Sequence, residues 1–385
     1  MMEEKPRLEV LTTPSNFDGV RLQTEKAIEK NRDFFNFKMS QVPHMEVAID
    51  SLKKGTGDLL AMSVKDWKKY DVEGLKISAF LPRREPTWVL VSDDKPEYLP
   101  FNAIVICDNQ LIIRQLKRMR EDINVQTSAD YFTSVNVNHS DSEQDKHQYL
   151  DNLEQLRVDE AIDGYVISRG EFSQTKTRLR RHTLGMQREK PSQEFERSTF
   201  ISPPLEGFSI LVSRNGFPTK VIERINDNSA KLCFEVENSI YESLDDDLKQ
   251  IAGIYVEQKK LSTILKQYVK LIDDSYALKI GENYLIPSKK KSRDSRTKWN
   301  ISRNIIQGPR ICIYFEILDN SGNVSLEMVR IEPLEDNMYD RGKNVFITEI
   351  KFLLELLQQD HDELKRLISG LPEEYKNPRP GILKF

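Results

Sequence analysis

The chain has 385 residues, 38% hydrophobic and 31% charged, with a formal net charge of −4. That length allows two or three domains with cores of their own. The near-neutral balance gives no general pull toward nucleic acid or a membrane surface, and no apolar run approaches the roughly 20 residues that span a bilayer. Cys107, Cys233 and Cys312 are odd in number and far apart, which fits a reducing compartment and excludes a disulfide scaffold. The five scattered histidines and the lack of any Cys-x-x-Cys pair give no zinc pattern. The opening Met1-Met-Glu-Glu-Lys-Pro6 has no apolar core of a secretory signal, so a cytoplasmic location is expected.

In chain order, Leu8 to Thr13 reads as a first strand and Pro14-Ser15-Asn16 as a turn and helix start. Val20 to Lys30 fits a helix with Val20, Ala27 and Ile28 inward. Phe34 to Val42 gives a second strand and its loop. His44 to Lys53 places Met45, Ala48, Ile49 and Leu52 on one helical face. Gly55-Thr-Gly57 is a turn, and Asp58-Leu-Leu-Ala-Met62 is a short buried strand. Ser63-Val-Lys-Asp66 follows at its C-terminal end, the end that opens on the ligand crevice of an α/β sheet. A lysine beside a carboxylate there can hold an anionic ligand and manage its protons. Phe80-Leu-Pro-Arg-Arg-Glu-Pro-Thr-Trp-Val-Leu-Val-Ser92 lies in the next segment. Leu99 to Cys107 reads as a crossover and the first strand of a second domain, and Asp108-Asn-Gln-Leu-Ile-Ile-Arg114-Gln115 as a helix start.

Val135 to Lys146 reads as a polar surface loop, Tyr149 to Leu156 as a helix and Ile162 to Ser168 as a strand. Thr175 to Arg197 is the most basic stretch of this half. Without interleaved aromatics it reads as a solvated face rather than a nucleic-acid contact. Asp245-Asp-Asp247 reads as a solvated turn or helix N-terminus, and Cys233 as a buried small hydrophobe. Lys259 to Asn300 contains a helix-like Leu261 to Leu271 and the basic loop Lys289 to Lys298. That loop is a charged surface segment or, in a sharper reading, a docking element for a protein partner. Arg310 to Leu318, Asp319 to Asn323 and Val324 to Ile331 give a hairpin signal. Phe346 to Leu371 is an amphipathic helix with Ile350, Leu353, Leu354, Leu357, Leu364, Leu367 and Ile368 as core, and Glu373 to Phe385 is a loose tail.

These residues resemble the hydroxymethylbilane synthase (porphobilinogen deaminase) family of tetrapyrrole synthesis. That family reads D-I-A-V-H-S-x-K-D-x-P, then P-x-G-L, then E-R-E-D-P-R-D-A-x-V-S. Ser63, Lys65, Asp66, Gly74, Leu75, Arg83, Pro86, Val91 and Ser92 fall in step, while the family histidine is Met62. Gly207 matches the family's return crossover, where its glutamine is Glu206. Gly253 and Tyr255 fix the register of E-G-G-C-x-x-P-I-G-x-Y-A. The resemblance runs along nearly the whole chain. It implies an α/β fold of two periplasmic-binding-protein-like domains plus a smaller α+β third domain. The bounds are 1–98 with 205–221, then 99–204, then 222–385 with a charged insertion at about 259–300.

The resemblance also implies roles. Asp66 would handle the pyrrole nitrogens and assist loss of ammonia, and Lys65 would contact the cofactor's acid groups, with Ser63, Arg114 and Gln115 as ligand-binding residues. For Arg114 two readings stand. It is the surviving half of the family's arginine pair, or a solvated helix residue behind an Asp108 or Asn109 N-cap. The family's first-strand arginine is missing from Thr12-Thr13-Pro14-Ser15, and the lid after the second strand is lost. Leu248 stands where the family's cysteine carries the dipyrromethane primer. Leucine cannot form the thioether, so no cofactor is expected. Two functions follow. One is a non-catalytic descendant that binds a small anionic or pyrrole ligand in its interdomain cleft, or regulates or scaffolds. The other is an active synthase condensing porphobilinogen into a linear tetrapyrrole. Neither calls for nucleic acid, membrane or metal.

Overall fold

The computed structural model describes residues 5–14, 17–135, 146–175, 177, 181–186, 200–264, 308–320, 322, 325–334 and 338–357. The chain divides into two compact units. One holds Met1–Gln187, Arg197–Tyr255 and Phe315–Glu327; the other holds Arg188–Glu196, Val256–Tyr314 and Met328–Phe385.

The first unit begins β1 (Arg7–Thr12), α1 (Val20–Lys30), β2 (Asn36–Gln41), α2 (Met45–Lys53), β3 (Leu59–Ser63), α3 (Val64–Lys69) and β4 (Leu75–Phe80). β1 lies parallel to β2 and β3, with Val10 opposite both Met39 and Leu59. Leu59, Leu60 and Met62 are fully buried, as the unbroken apolar run requires of a strand covered on both faces. Each such burial stabilises by roughly 1.5–3 kcal/mol. Val20 of α1 is buried against this sheet, with Ala27 and Ile28 partly so, and α2 buries Ala48, Ile49 and Leu52. Gly57 turns at φ +93, and a Cβ there would meet Leu11 Cγ at 2.8 Å, so the turn into β3 needs glycine.

The second sheet is built from β5 (Trp88–Ser92), β6 (Ile104–Cys107), α4 (Gln110–Met119), β7 (Asn124–Gln126), α5 (Ser128–Ser134), α6 (Lys146–Val158), β8 (Gly164–Ser168), α7 (Arg169–Phe172) and β9 (His182–Leu184). β10 (Ser209–Arg214) then returns to the first sheet. The strand orders are β2-β1-β3-β10-β4 and β7-β6-β8-β5-β9. In each sheet three parallel strands are followed by an antiparallel strand delivered by a crossover, β10 in one and β5 in the other. The architecture is the expected α/β one, two five-stranded sheets of periplasmic-binding-protein-like pattern with a smaller third sheet.

Two expectations are corrected. Trp88–Ser92, read within residues 1–98 as part of the first domain, belongs to the second sheet. Pro82 and Pro86 lack the N–H a central strand needs, so the chain leaves the first sheet at Leu81 and crosses before β5. Within the basic stretch read as a solvated face, His182–Leu184 forms a strand against β5, and Leu184 is buried. Most of the rest of that stretch lies outside the described residues, as do Ser15, Asn16, nearly all of the 135–146 loop, most of the 259–300 insertion and the tail.

The remaining elements are α8 (Asn228–Glu242), α9 (Asp246–Lys249), β11 (Ala252–Lys260), β12 (Pro309–Leu318), β13 (Ser325–Pro333) and α10 (Met338–Leu357). The three strands form a sheet in that order. Asp245, Asp246 and Asp247 are exposed at the start of α9, as expected of a solvated helix N-terminus. Cys233 is buried on α8. α10 starts earlier than its apolar run suggests and buries Phe346, Ile350 and Leu354; Leu364, Leu367 and Ile368 lie outside the described residues.

Candidate functional site

Two crossovers between the first two sheets run side by side. Arg84 N donates to Gly207 O at 2.9 Å and Leu81 N to Ser209 O at 2.9 Å. Gly207 has φ +78, and a Cβ there would lie 2.3 Å from Arg84 O, so no other residue fits without moving backbone. Arg83 lies on the same crossover as Arg84. Its guanidinium donates to Glu237 at 2.8 and 3.0 Å and its Nε to Glu206 O at 3.0 Å, while the plane stacks 3.9 Å from the Phe208 ring centroid.

Ser63 ends β3 with extended backbone and caps α3. Its Oγ accepts from Asp66 N at 3.0 Å and donates to Asp66 Oδ2 at 2.7 Å. Lys65 pairs with Glu206 of the return crossover. The structure therefore brings Ser63, Lys65 and Asp66 together at the crossover. It adds two residues that the sequence reading did not single out, Asp18 and Arg84. Asp18 lies in the loop after β1, where Oδ1 accepts from Val20 N at 3.0 Å. Burial pushes its carboxyl up to about 6, and the Asp66 charge adds to the rise against the Val20 hydrogen bond and Arg84. Arg84 Nη1 donates to the Asp18 carbonyl at 2.7 Å. Burial holds its guanidinium below the usual arginine range; Asp18 and Glu206 oppose this and Arg169 adds to it. Phe17, next to Asp18, packs on the second sheet's core with its ring 4.7 Å from that of His147. A Cβ on Gly170 would sit 1.9 Å from Phe17 O, so this loop seats directly on α7.

Arg114 and Gln115 lie elsewhere. Arg114 donates to Leu318 O and Asn320 Oδ1, each at 2.5 Å. Gln115 is fully buried, and its amide donates to Ile201 O at 2.9 Å and Glu316 Oε2 at 2.8 Å. Asn109 is the N-cap of α4, accepting from Ile112 N at 3.1 Å. Asp108 turns the other way. Its Oδ1 accepts from Ser128 N and Ser128 Oγ, both at 2.8 Å, and its Oδ2 from the Tyr149 hydroxyl. Burial and the adjacent Asp108 charge raise Tyr149 far above its ordinary range, so it stays a proton donor. The chain's own carboxylate thus fills the donors at this end of the second sheet. Leu248 is half-buried on α9; beside it Lys249 pairs with Asp246 at 2.7 Å and lies 5.3 Å from the Tyr241 ring centroid. Cys107, Cys233 and Cys312 are buried at 1, 4 and 0% exposure, and burial pushes the Cys107 thiol up to about 12. Among the described residues no group of three His, Cys, Asp or Glu side chains is placed to hold a metal, and no helix is long and apolar enough to cross a membrane.

The missed residues left faint signals. Asp18-Gly19 is a turn dipeptide directly before a helix, and Arg84 puts a cation where the resembled pattern E-R-E-D-P has a carboxylate.

No protein-family model matches the chain. Among solved structures, YhfZ from Shigella flexneri is 14% identical with a TM-score of 0.29, covering 58% of this chain and 92% of that one. The lipoprotein Tp32 from Treponema pallidum is 12% identical with a TM-score of 0.32, covering 58% and 91%. The periplasmic VFT2 domain of BvgS from Bordetella pertussis is 14% identical with a TM-score of 0.30, covering 58% and 88%. A curated protein of Picrophilus torridus named "Probable porphobilinogen deaminase" is 20% identical over 276 residues, 70% of this chain and 86% of that protein. The chain is thus similar, at low identity, to a protein named as a probable porphobilinogen deaminase.

Proposed function

We propose that this chain is a divergent descendant of the porphobilinogen deaminase fold that binds a small ligand beside Asp66 and does not polymerise porphobilinogen on a tethered primer. The carrying observation is Leu248 at the primer position, on the short helix α9. No sulfur stands there, and the three thiols of the chain are all buried in cores. The residues present do not fit a thioether-bound dipyrromethane, and no reaction step is routed through one. Two further features support the reading. Gln115 and Arg114 spend their donors within the chain, and Asp108 puts a carboxylate where a ligand's acid group would otherwise be held. The cleft then serves ligand binding in a regulatory or pseudoenzyme role in the cytoplasm, a setting the three buried thiols suit.

A second reading, active hydroxymethylbilane synthase, is favoured by the similarity to the Picrophilus torridus protein. One experiment separates the two. The expressed protein is expected to have the unmodified polypeptide mass, to give no colour with Ehrlich's reagent and to leave porphobilinogen unconsumed. A pyrrole adduct in the intact mass, or porphobilinogen consumption abolished by Asp66→Asn, overturns the proposal in favour of the enzyme.

A further inference from the structure

A groove of about 400 Å3 opens beside the first turn of α1, with Gly19, Arg21, Leu22, Arg84, Ser173 and Gln174 on its walls. Its fixed cation is Arg84. Nη1 donates to the Asp18 carbonyl, but Nε and Nη2 have no acceptor among the described residues. The guanidinium lies against Gly19 so closely that a Cβ there would be 1.3 Å from Nη1. A guanidinium taken partly out of water with donors unfilled is costly until an acceptor arrives. The other charges nearby do not supply one. Arg169 is paired to Glu85 at 2.7 Å, and Glu25, also on the groove wall, is paired to Arg21 at 3.1 Å. Ser173 and Gln174 are neutral; the Ser173 hydroxyl donates to Gly170 O and the Gln174 amide to Ser173 Oγ. Arg21 and Leu22 also have backbone N–H groups without an acceptor among the described residues, and Gly19 has no side chain to cap them. The resembled family pattern has a glutamate at the Arg84 position, so this cation is the chain's own.

We infer that this groove seats an oxyanion, a carboxylate or phosphate group of the ligand, on the free donors of Arg84. The inference rests on the ligand-binding reading of the cleft and deepens it. The acid group is held at α1 and the crossover, not at the second sheet, where Asp108 already occupies the donors.

The test uses the full chain, titrated calorimetrically with inorganic phosphate and separately with acetate, against sodium chloride at matched ionic strength. Saturable binding of at least one anion is expected, and which one it is tells phosphate from carboxylate ligands. Arg84→Gln is expected to weaken that binding by about tenfold or more. Gln174→Glu, which adds a negative charge to the wall and leaves Arg84 in place, weakens it as well and decides the matter if Arg84→Gln does not fold. Neither anion binding above chloride, or binding that survives both substitutions, overturns the inference. The titration reads anion binding independently of any primer. A primer found by mass would therefore sink the reading of the preceding subsection and leave this site to be judged on its own titration.

Discussion

The clamp at the crossover makes a quantitative prediction. Arg83 has a side-chain exposure of 10% and Glu237 of 0%, so both charges of this pair are out of bulk water. Glu237 also accepts from Leu205 N at 2.5 Å. Arg83→Met keeps an unbranched aliphatic side chain but removes the guanidinium that stacks on Phe208 and leaves the Glu237 carboxylate buried without its cation. Breaking a buried pair from one side costs about 3–5 kcal/mol. Adding Glu237→Gln removes the stranded charge while its amide oxygen still accepts from Leu205. The double variant is therefore expected to be more stable than Arg83→Met alone, with a net cost nearer about 1–3 kcal/mol from the lost hydrogen bonds. Urea denaturation followed by circular dichroism at pH 7 measures both, and the coupling should change little with added salt because the pair is not exposed. A double variant no more stable than Arg83→Met, or single costs that simply add, would refute the claim that burial of the uncompensated carboxylate sets the energy.

Asp18 gives a pH test. Its folded pKa of about 6 lies above the ordinary 3.8, so the folded state holds this proton more tightly. The contribution is fully present below about pH 4 and is lost as the pH rises through 6, amounting to about 3 kcal/mol at most, and less to the extent that solvent reaches the side chain. Asp18→Asn keeps an acceptor for Val20 N and cannot ionise, so it should gain on the native protein between pH 4 and pH 7. Equal stability differences at the two pH values would contradict this. At the return crossover, Gly207→Ala meets both a φ of +78 and the Arg84 carbonyl at 2.3 Å. It should cost at least about 2 kcal/mol in urea, whereas Gly216→Ala, with nothing within 4 Å, should stay within about 0.5 kcal/mol.

Elements that declare themselves locally could be read from the sequence. Val20–Lys30 carries its helical periodicity between a turn and an Asn-containing stop, and Leu59–Met62 is an apolar run behind a glycine turn; both were legible to within a residue or so. Partnership was not legible. Trp88–Ser92 is as apolar as a strand of either sheet, and only its pairing with β8 and β9 assigns it. Gln115 matches a family letter, yet its partners Ile201 and Glu316 are 86 and 201 residues away, and no local pattern points to them. Asp18 and Arg84 meet because the loop after β1 lies against the crossover that follows β4, which spacing along the chain does not encode.

The Ser63–Asp66 match shows the limit most sharply. Ser63 Oγ and the Asp66 N–H and carboxylate satisfy one another across three residues, as a helix start after a strand requires whatever the cleft does. Replacing Ser63 costs a cap, typically about 1 kcal/mol, in an active or an inactive descendant alike, while replacing Asp66 removes the acceptor of the Ser63 hydroxyl and leaves the backbone N–H in the cap. Survival of the motif is therefore accounted for by folding alone and carries little weight for catalysis. The primer position is different, because no folding requirement of a short solvated helix such as α9 asks for cysteine or forbids it. On the proposed reading, a residue kept only for chemistry is free to drift once that chemistry is gone, and Leu248 at the resembled cysteine position is what such drift leaves. That asymmetry is why the functional reading leans on one absent sulfur rather than on three retained polar side chains.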